Sequence, residues 1–571
     1  MAKKTKKKLK KSKSPFQAII ALGYKQLFED YDNIDPQLIT QKIDEEAAMI
    51  QVSQWNFDFS YRRNHIPSHC RWLRKNISFI PDKDARRKIW NEINKPTPNL
   101  IMFTSEASLR LYRNILLNNN LNTGETSLSE EDVSQLLKAY TYYNQQWTDE
   151  QMKGMDLTDP NVLDISLSVD LPESENKLAK DFKAQLYKCF QLFIFLENSG
   201  SIGQSYIDAF CHALKIKSWK DFIVAWFFIF EKLLKSPVFK IDELDFIQRQ
   251  LVNRFSISKQ PEDRKDIEDP KLWKSYFRNH FFYPLHDDKV VLLDIDLFND
   301  KFYQGLKFDI FNAAKKIGLK DCNGKKISKF EDFTTAWGDM SEIFLLRDLI
   351  LKSFMPIADK ILMPKDFKNI EITGEPDAYV RMGENLLLFE YKDVILADRY
   401  KYINNVEETK KVLMEKICLH QPDKRKGVGQ LIWNIDRILN HNLVETLDPE
   451  IKKVSRIIPI VLTTDVAFTA LGVNLFVAQK MNEFLKEYDF TNHDVFISLP
   501  LLCDIDTFIS LSYFIASKKI NLVNVVTKYL NDNMGNLASF SSYCKDILQV
   551  DIAFSPEMNS FLFKEHFRSL K

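Results

Sequence analysis

Residues 374–393, GEPDAYVRMGENLLLFEYKD, read as two strands joined by a tight turn at Gly383-Glu384. Glycine at the first central position of a two-residue loop suits a type II′ hairpin, and such a loop pairs Met382 with Asn385. Counting outward, Asp377 falls opposite Glu390, and directly opposed residues hold their Cβ atoms about 4.5–5.5 Å apart. Side chains alternate along a strand, so Lys392 shares the face of Glu390, and Glu375 falls opposite Lys392. The run Leu386-Leu387-Leu388-Phe389 is apolar on both faces, the pattern of a strand buried on both sides. Charges at the end of such a strand are costly unless paired or bound to a cation. Two opposed carboxylates can share one divalent cation. The plainer reading, a solvated strand edge, requires these side chains to be exposed and to point apart.

Upstream, Trp337-Gly338-Asp339-Met340-Ser341-Glu342 opens an apolar helix that runs to Met355 and stops at Pro356. Glu342 shares a face with Leu345, Leu346 and Leu349. A carboxylate heading a core-facing stripe calls for a positive partner, although a helix start favours glutamate in any case. Downstream, Asn404 to His420 reads as a helix, followed by the loop Gln421-Pro422-Asp423-Lys424-Arg425-Lys426-Gly427 and a helix from Val428 to Asn440 with Gln430 in its first turn. Lys424, Arg425 and Lys426 in front of a helix N-terminus suit a phosphate contact. Ser455 to Thr463 reads as a strand in which Pro459 indicates an edge position or a bulge. Val495 to Leu499 reads as another strand, and Ile505 to Ser517 and Leu522 to Asn531 as helices.

The first half has a different character. Residues 1–14, MAKKTKKKLKKSKS, carry eight lysines and no acid, and are too charged to pack. Such a tail adds sequence-independent affinity for phosphate backbones or serves solubility alone. From Pro15 to about residue 285 the periodicity is helical, with helices expected over Phe16 to Tyr31, Asp132 to Gln146, Lys177 to Glu197 and Trp219 to Leu234. The acidic stretch Asp156 to Glu175, with Pro160 and Pro172, reads as a loop or subdomain break. His65, His69 and Cys70 stand at helical spacing, but Pro67 between them argues against a regular helix and no second ligand pair is near. An Arg/His surface with Arg62, Arg63, Arg71 and Arg74 is the simpler reading. Val290 to Leu297 reads as a strand and Phe298 to Ile317 as a helix. Gly324-Lys325-Lys326 lacks the glycine spacing and the Ser/Thr of a P-loop, so no ATP site follows.

The chain has 571 residues, too many for one core. The expected division is a Lys-rich tail (1–14), a helical domain (15–285), a connecting strand and helix region (286–335), a sheet domain (336–530) and a helical extension (531–571). Formal net charge is +1, but without the eight tail lysines 71 basic residues face 78 acidic ones. A nucleic-acid partner must therefore be met by local basic patches. Seven scattered cysteines without a CxxC pair, and no signal peptide ahead of them, suit a reducing cytoplasm. The densest apolar run, Phe222 to Phe230, falls short of the roughly 18–20 residues a bilayer crossing needs, so no membrane partner is expected.

A glutamate at a helix start, an aspartate on one strand, Glu-x-Lys on its hairpin partner and a following helix with Gln-Leu resembles the PD-(D/E)XK nuclease superfamily, the restriction-endonuclease-like fold. The residues carrying the match are Gly338 and Glu342, Pro376-Asp377, Glu390-Tyr391-Lys392, and Gly427 with Gln430-Leu431, across about residues 336–515. With the helical periodicity of the first half, the resemblance implies an α+β chain: a large, mainly α-helical N-terminal region followed by a restriction-endonuclease-like α/β domain whose mixed sheet is flanked by helices. It further implies that Asp377 and Glu390 ligate Mg²⁺ or Mn²⁺, with the Tyr391 carbonyl a further ligand and Glu342 supporting directly or through water. Lys392 would orient or deprotonate the attacking water and Gln430 would support, while the hairpin register, by setting Glu375 near Lys392, adds Glu375 as a further supporting residue. The function implied is metal-dependent hydrolysis of phosphodiester bonds in nucleic acid, DNA in preference to RNA, in a setting such as bacterial antiviral defence. The helical region would serve recognition, regulation or assembly, including a homo-oligomer or a partner protein. The alternative is a catalytically silent nuclease-fold binding or scaffold protein.

Overall fold

The computed structural model describes residues 20–60, 65–80, 82–118, 127–153, 162–177, 180–260, 264–320, 324–330, 344–368, 374–401, 405–533 and 539–548. Gly338, Glu342, Arg62, Arg63, the Lys-rich tail and most of the extension after 531 lie outside them. The fold is mixed α and β. Its strands are β1 (Ile20–Ala21), β2 (Leu100–Ile101), β3 (Val238–Lys240), β4 (Phe282–Pro284), β5 (Lys289–Leu292), β6 (Lys360–Leu362), β7 (Ala378–Met382), β8 (Asn385–Lys392), β9 (His420–Gln421), β10 (Lys424–Arg425), β11 (Arg456–Thr463), β12 (Phe496–Ile497) and β13 (Leu501–Asp504).

The helical half is built on capped helices. Ser129 caps Glu130–Met152 and exchanges hydrogen bonds with Asp132, and Ser218 does the same with Asp221 at the head of Trp219–Leu233. Asp181 accepts from the Lys183 and Ala184 N–H groups and starts Phe182–Asn198, so this helix begins later than Lys177. Two expectations fail here for tertiary reasons. Phe16 to Tyr31 is not a helix where it is described: Ile20–Ala21 pairs in parallel with β2, the Leu22 N–H donates to Ile101, and Tyr24–Gln26 and Tyr31–Asn33 form short 3₁₀ turns. The stretch Asp156 to Glu175, expected as a loop or subdomain break, lies outside the described residues up to 161 and is helical beyond, within Val162–Lys177, because Leu163, Leu167 and Leu171 are buried in the core of the sheet half. Pro67 stands in the first turn of Ile66–Lys75, where no intrahelical N–H is needed. His69 is a core residue, stacked 4.2 Å from Phe59 and accepting the Met102 N–H.

The strand expected over Val290 to Leu297 ends at Leu292, since Asp294 caps the helix Ile295–Asp300, which is followed by Gln304–Lys316. β5 lies between β3 and β4, antiparallel to both, so residue 285 falls within the β4–β5 hairpin and the segment after it joins the core of the helical half.

A six-stranded sheet organises the second half, in the order β12-β11-β8-β7-β6, with β13 also on β11. β6, β7 and β8 run antiparallel, and β11 runs parallel to β8 and β13. Leu386 and Leu388 of β8 face a core shared with helices Val406–Ile417, Val428–Asn440 and Leu471–Leu485. Leu387, Phe389 and Tyr391 face the opposite core, with helices Arg347–Phe354 and Ile505–Ala516. Burial on both faces is what the apolar run in β8 required.

Pro459 does not mark an edge, because β11 is paired on both sides. The Phe496 and Ser498 N–H groups donate to Ser455 and Ile457, so the backbone of alternate residues, Pro459 included, faces the β12–β13 side. There β12 pairs only as far as Ile457 and β13 begins at Ile460. The missing N–H falls in that gap; the strand expected over Val495 to Leu499 is confined to Phe496–Ile497, with β13 following it from Leu501.

Candidate functional site

The hairpin register is as the turn chemistry requires: Met382 pairs with Asn385, and the ladder runs to Ala378 against Phe389. Gly383 has φ +57° and Glu384 is not among the residues with positive φ, the combination a type II′ turn needs. At Asp377 the ladder shifts. Its N–H donates to the Phe389 carbonyl at 3.0 Å, one residue short of the partner that counting gives. Such a step is the mark of a bulge, which re-aims a side chain. The direct opposition of Asp377 and Glu390 is therefore corrected to an offset one. Asp377 Oδ2 instead accepts the Tyr391 N–H at 2.6 Å, tying the carboxylate to the strand that carries Glu390.

Glu390 is fully buried on the same face as Leu386 and Leu388. A carboxylate there needs a counter-charge, and Lys392 supplies one, its Nζ 2.5 Å from Glu390 Oε1. Asp377 is held above the ordinary carboxylate range by burial, against the lowering effects of the Lys392 charge and the Tyr391 N–H, while the Glu375 charge adds to the rise. Lys392 thus acts on both Glu390 and Asp377, Glu375 acts on Asp377, and the solvated-edge reading fails for Glu390. Gln430 joins them through its side-chain amide, which donates to the Glu375 carbonyl at 3.2 Å.

The expected loop 421–427 contains the small antiparallel pair β9–β10. Its basic residues divide. Lys424 is exposed; the Arg425 guanidinium lies 4.7 Å from the Trp433 ring, which Arg437 also covers at 4.3 Å. The Lys426 ammonium is held below its ordinary range by burial and by the charges of Lys424, Lys416 and Lys392. Lys416 and Arg437 carried no sequence signal, since Lys416 is one of three lysines on its helix and Arg437 is a single base on the polar side of an amphipathic one. Gly427 starts Val428–Asn440 with φ +56° and ψ −122°, and a Cβ there would run into the Ile417 carbonyl oxygen. Gly427→Ala is expected to cost about 1–3 kcal/mol in backbone strain before that clash is counted, a loss that chemical denaturation measures.

As a cation site, the donor set is two hard carboxylates with the Tyr391 carbonyl beside them, which suits Mg²⁺ or Mn²⁺. Tyr391 N–H points to the Asp377 side, and backbone groups of one strand residue face the same antiparallel neighbour, so its carbonyl does too. Among the described residues no group of three or more His, Cys, Asp or Glu side chains is placed to hold a metal; Glu342, the expected third carboxylate, lies outside them. Also among the described residues, no helix is long and apolar enough to cross a membrane. No protein-family model matches the chain, and no curated protein or solved structure matches it.

Proposed function

We propose that this chain is a metal-dependent nuclease of the PD-(D/E)XK type, hydrolysing phosphodiester bonds in nucleic acid, DNA in preference to RNA. The observation that carries the reading is the pairing of Lys392 with the fully buried Glu390, beside an Asp377 whose ionisation both burial and Lys392 influence. The mixed sheet flanked by helices, with a helix before the hairpin and the Gln430 helix after it, supports the same reading. Mg²⁺ or Mn²⁺, when bound, supplies a nucleophile at neutral pH and relief of charge on the phosphoryl oxygens. Asp377 and Glu390 hold the cation. Lys392, released from full engagement with Glu390, orients the attacking water and faces the developing negative charge. Lys424, Lys426 and Lys416 receive neighbouring phosphates, and a body with excess acid makes this local patch the point of approach.

One observation favours the catalytically silent alternative: Lys392 already neutralises Glu390, as a fold kept for binding would arrange. Incubation with single- and double-stranded DNA and RNA, with Mg²⁺, Mn²⁺ or EDTA, separates the two. Cleavage that needs the metal and disappears in Asp377→Ala and Lys392→Ala is the expected result. Binding that survives EDTA, with no turnover on any substrate, sinks the nuclease reading.

A further inference from the structure

The residue after Lys392 is tied to the other half of the molecule. Lys307, on helix Gln304–Lys316, is 5 % exposed and donates from Nζ to Asp393 Oδ2 at 2.9 Å and to Oδ1 at 3.3 Å. Its ammonium also lies 4.4 Å from the buried Tyr303 ring. Asp393 Oδ1 accepts the Thr464 hydroxyl at 2.7 Å, and the Thr464 N–H donates to the Lys392 carbonyl at 3.3 Å. Lys392 is thus followed by an anchored carboxylate and held at its own carbonyl by the residue that anchor also engages. Burial penalises the Lys307 ammonium, but the charge of Asp393 outweighs this and keeps it protonated.

We propose that Lys307 is a positioning residue for the site: through Asp393 and Thr464 it fixes the end of β8, and with it the location of the Lys392 ammonium. This rests on the nuclease reading above. The helical half is then part of the frame of the site, in addition to any recognition it performs. A phosphodiester cleaved with the help of one ammonium is sensitive to where that ammonium stands, and a displacement near 1 Å costs up to about 10²-fold in rate.

The test uses the full chain as wild type, Lys307→Met, Lys307→Arg and Tyr187→Phe. Tyr187 spans the same two halves through its hydroxyl, 2.5 Å from Asp348, and reports on general loosening of the contact. Two readouts are taken: cleavage kinetics in Mn²⁺, and hydrogen exchange of the amides of residues 390–393 without metal. Lys307→Met is expected to lower kcat by about ten-fold or more with KM within about two-fold. Lys307→Arg is expected to restore most of the rate, and exchange at 390–393 should quicken in Lys307→Met alone. Unchanged kcat and exchange in Lys307→Met, or equal changes in Tyr187→Phe, overturn the proposal while leaving the nuclease reading standing. If the wild type cleaves nothing, that reading falls, and exchange decides the positioning claim: unchanged protection in Lys307→Met overturns it.

Discussion

Replacing Asp377 by asparagine is expected to abolish metal-dependent cleavage, by about 10³-fold or more, while leaving the apo protein as stable as the wild type or more so. The two effects have one cause. Burial raises the Asp377 carboxyl above its ordinary range, against Lys392 and the Tyr391 N–H. A group whose folded pKa is raised adds stability that is fully present below its unfolded value, about 3.9, and lost as pH rises through the folded value. At neutral pH the ionised aspartate is therefore a cost to the apo fold, which asparagine removes. The ionised form is also the one that can hold a cation, so activity runs the other way and fails as pH drops through the raised pKa. Thermal unfolding with and without Mn²⁺, beside a pH–rate profile, checks both. A wild type more stable than Asp377→Asn in EDTA at pH 7 contradicts the stability half of the expectation.

The largest structural effect is expected at Arg381. Its guanidinium clasps Asp448 with Nε 2.7 Å from Oδ2 and Nη2 3.0 Å from Oδ1, and the Tyr379 hydroxyl donates to the same carboxylate at 2.7 Å. Arg381 and Asp448 are both buried. Arg381→Met leaves a charge in the core without its counter-charge, and the expected loss is about 3–5 kcal/mol. Replacing both partners, as Arg381→Met with Asp448→Leu, should recover most of it, since no uncompensated charge remains. Burial by itself raises the Asp448 pKa, but the hydrogen bonds from Arg381 and Tyr379 outweigh it and hold the group below its ordinary range. A depressed folded pKa gives stability that is present above the unfolded value and lost as pH falls through the folded one. The wild-type advantage over the double variant should shrink below about pH 4. Urea titrations at pH 7 and pH 3.5 measure this, and equal midpoints for wild type and Arg381→Met at pH 7 would refute it.

Much of the hairpin is legible in the sequence because its causes are local. Gly383 sets the turn, the turn sets the pairing of Met382 with Asn385, and strand alternation puts Glu390 and Lys392 on one face. The capped helices at Ser129 and Ser218 are readable for the same reason: the Ser and the acid three residues on are both in the motif. What failed depended on a neighbour distant in sequence. The shift at Asp377 answers to Phe389 and Tyr391 across the ladder, and Pro459 is tolerated centrally only because β12 and β13 leave a gap beside it. Residues 162–177 look like a loop until the sheet half supplies a core for Leu163, Leu167 and Leu171.

The sequence by itself determined the turn, the register from Met382 to Ala378 and the double-sided burial of β8, because backbone sterics and side-chain alternation act within a few residues. Only the tertiary structure decided that Glu390 is fully buried and paired with Lys392, that Asp377 turns to the Tyr391 N–H, and that Lys307 from the helical half reaches Asp393. Those outcomes depend on desolvation and charge pairing between segments far apart in the chain, and spacing along a sequence does not encode which distant charge will be available to meet a buried one.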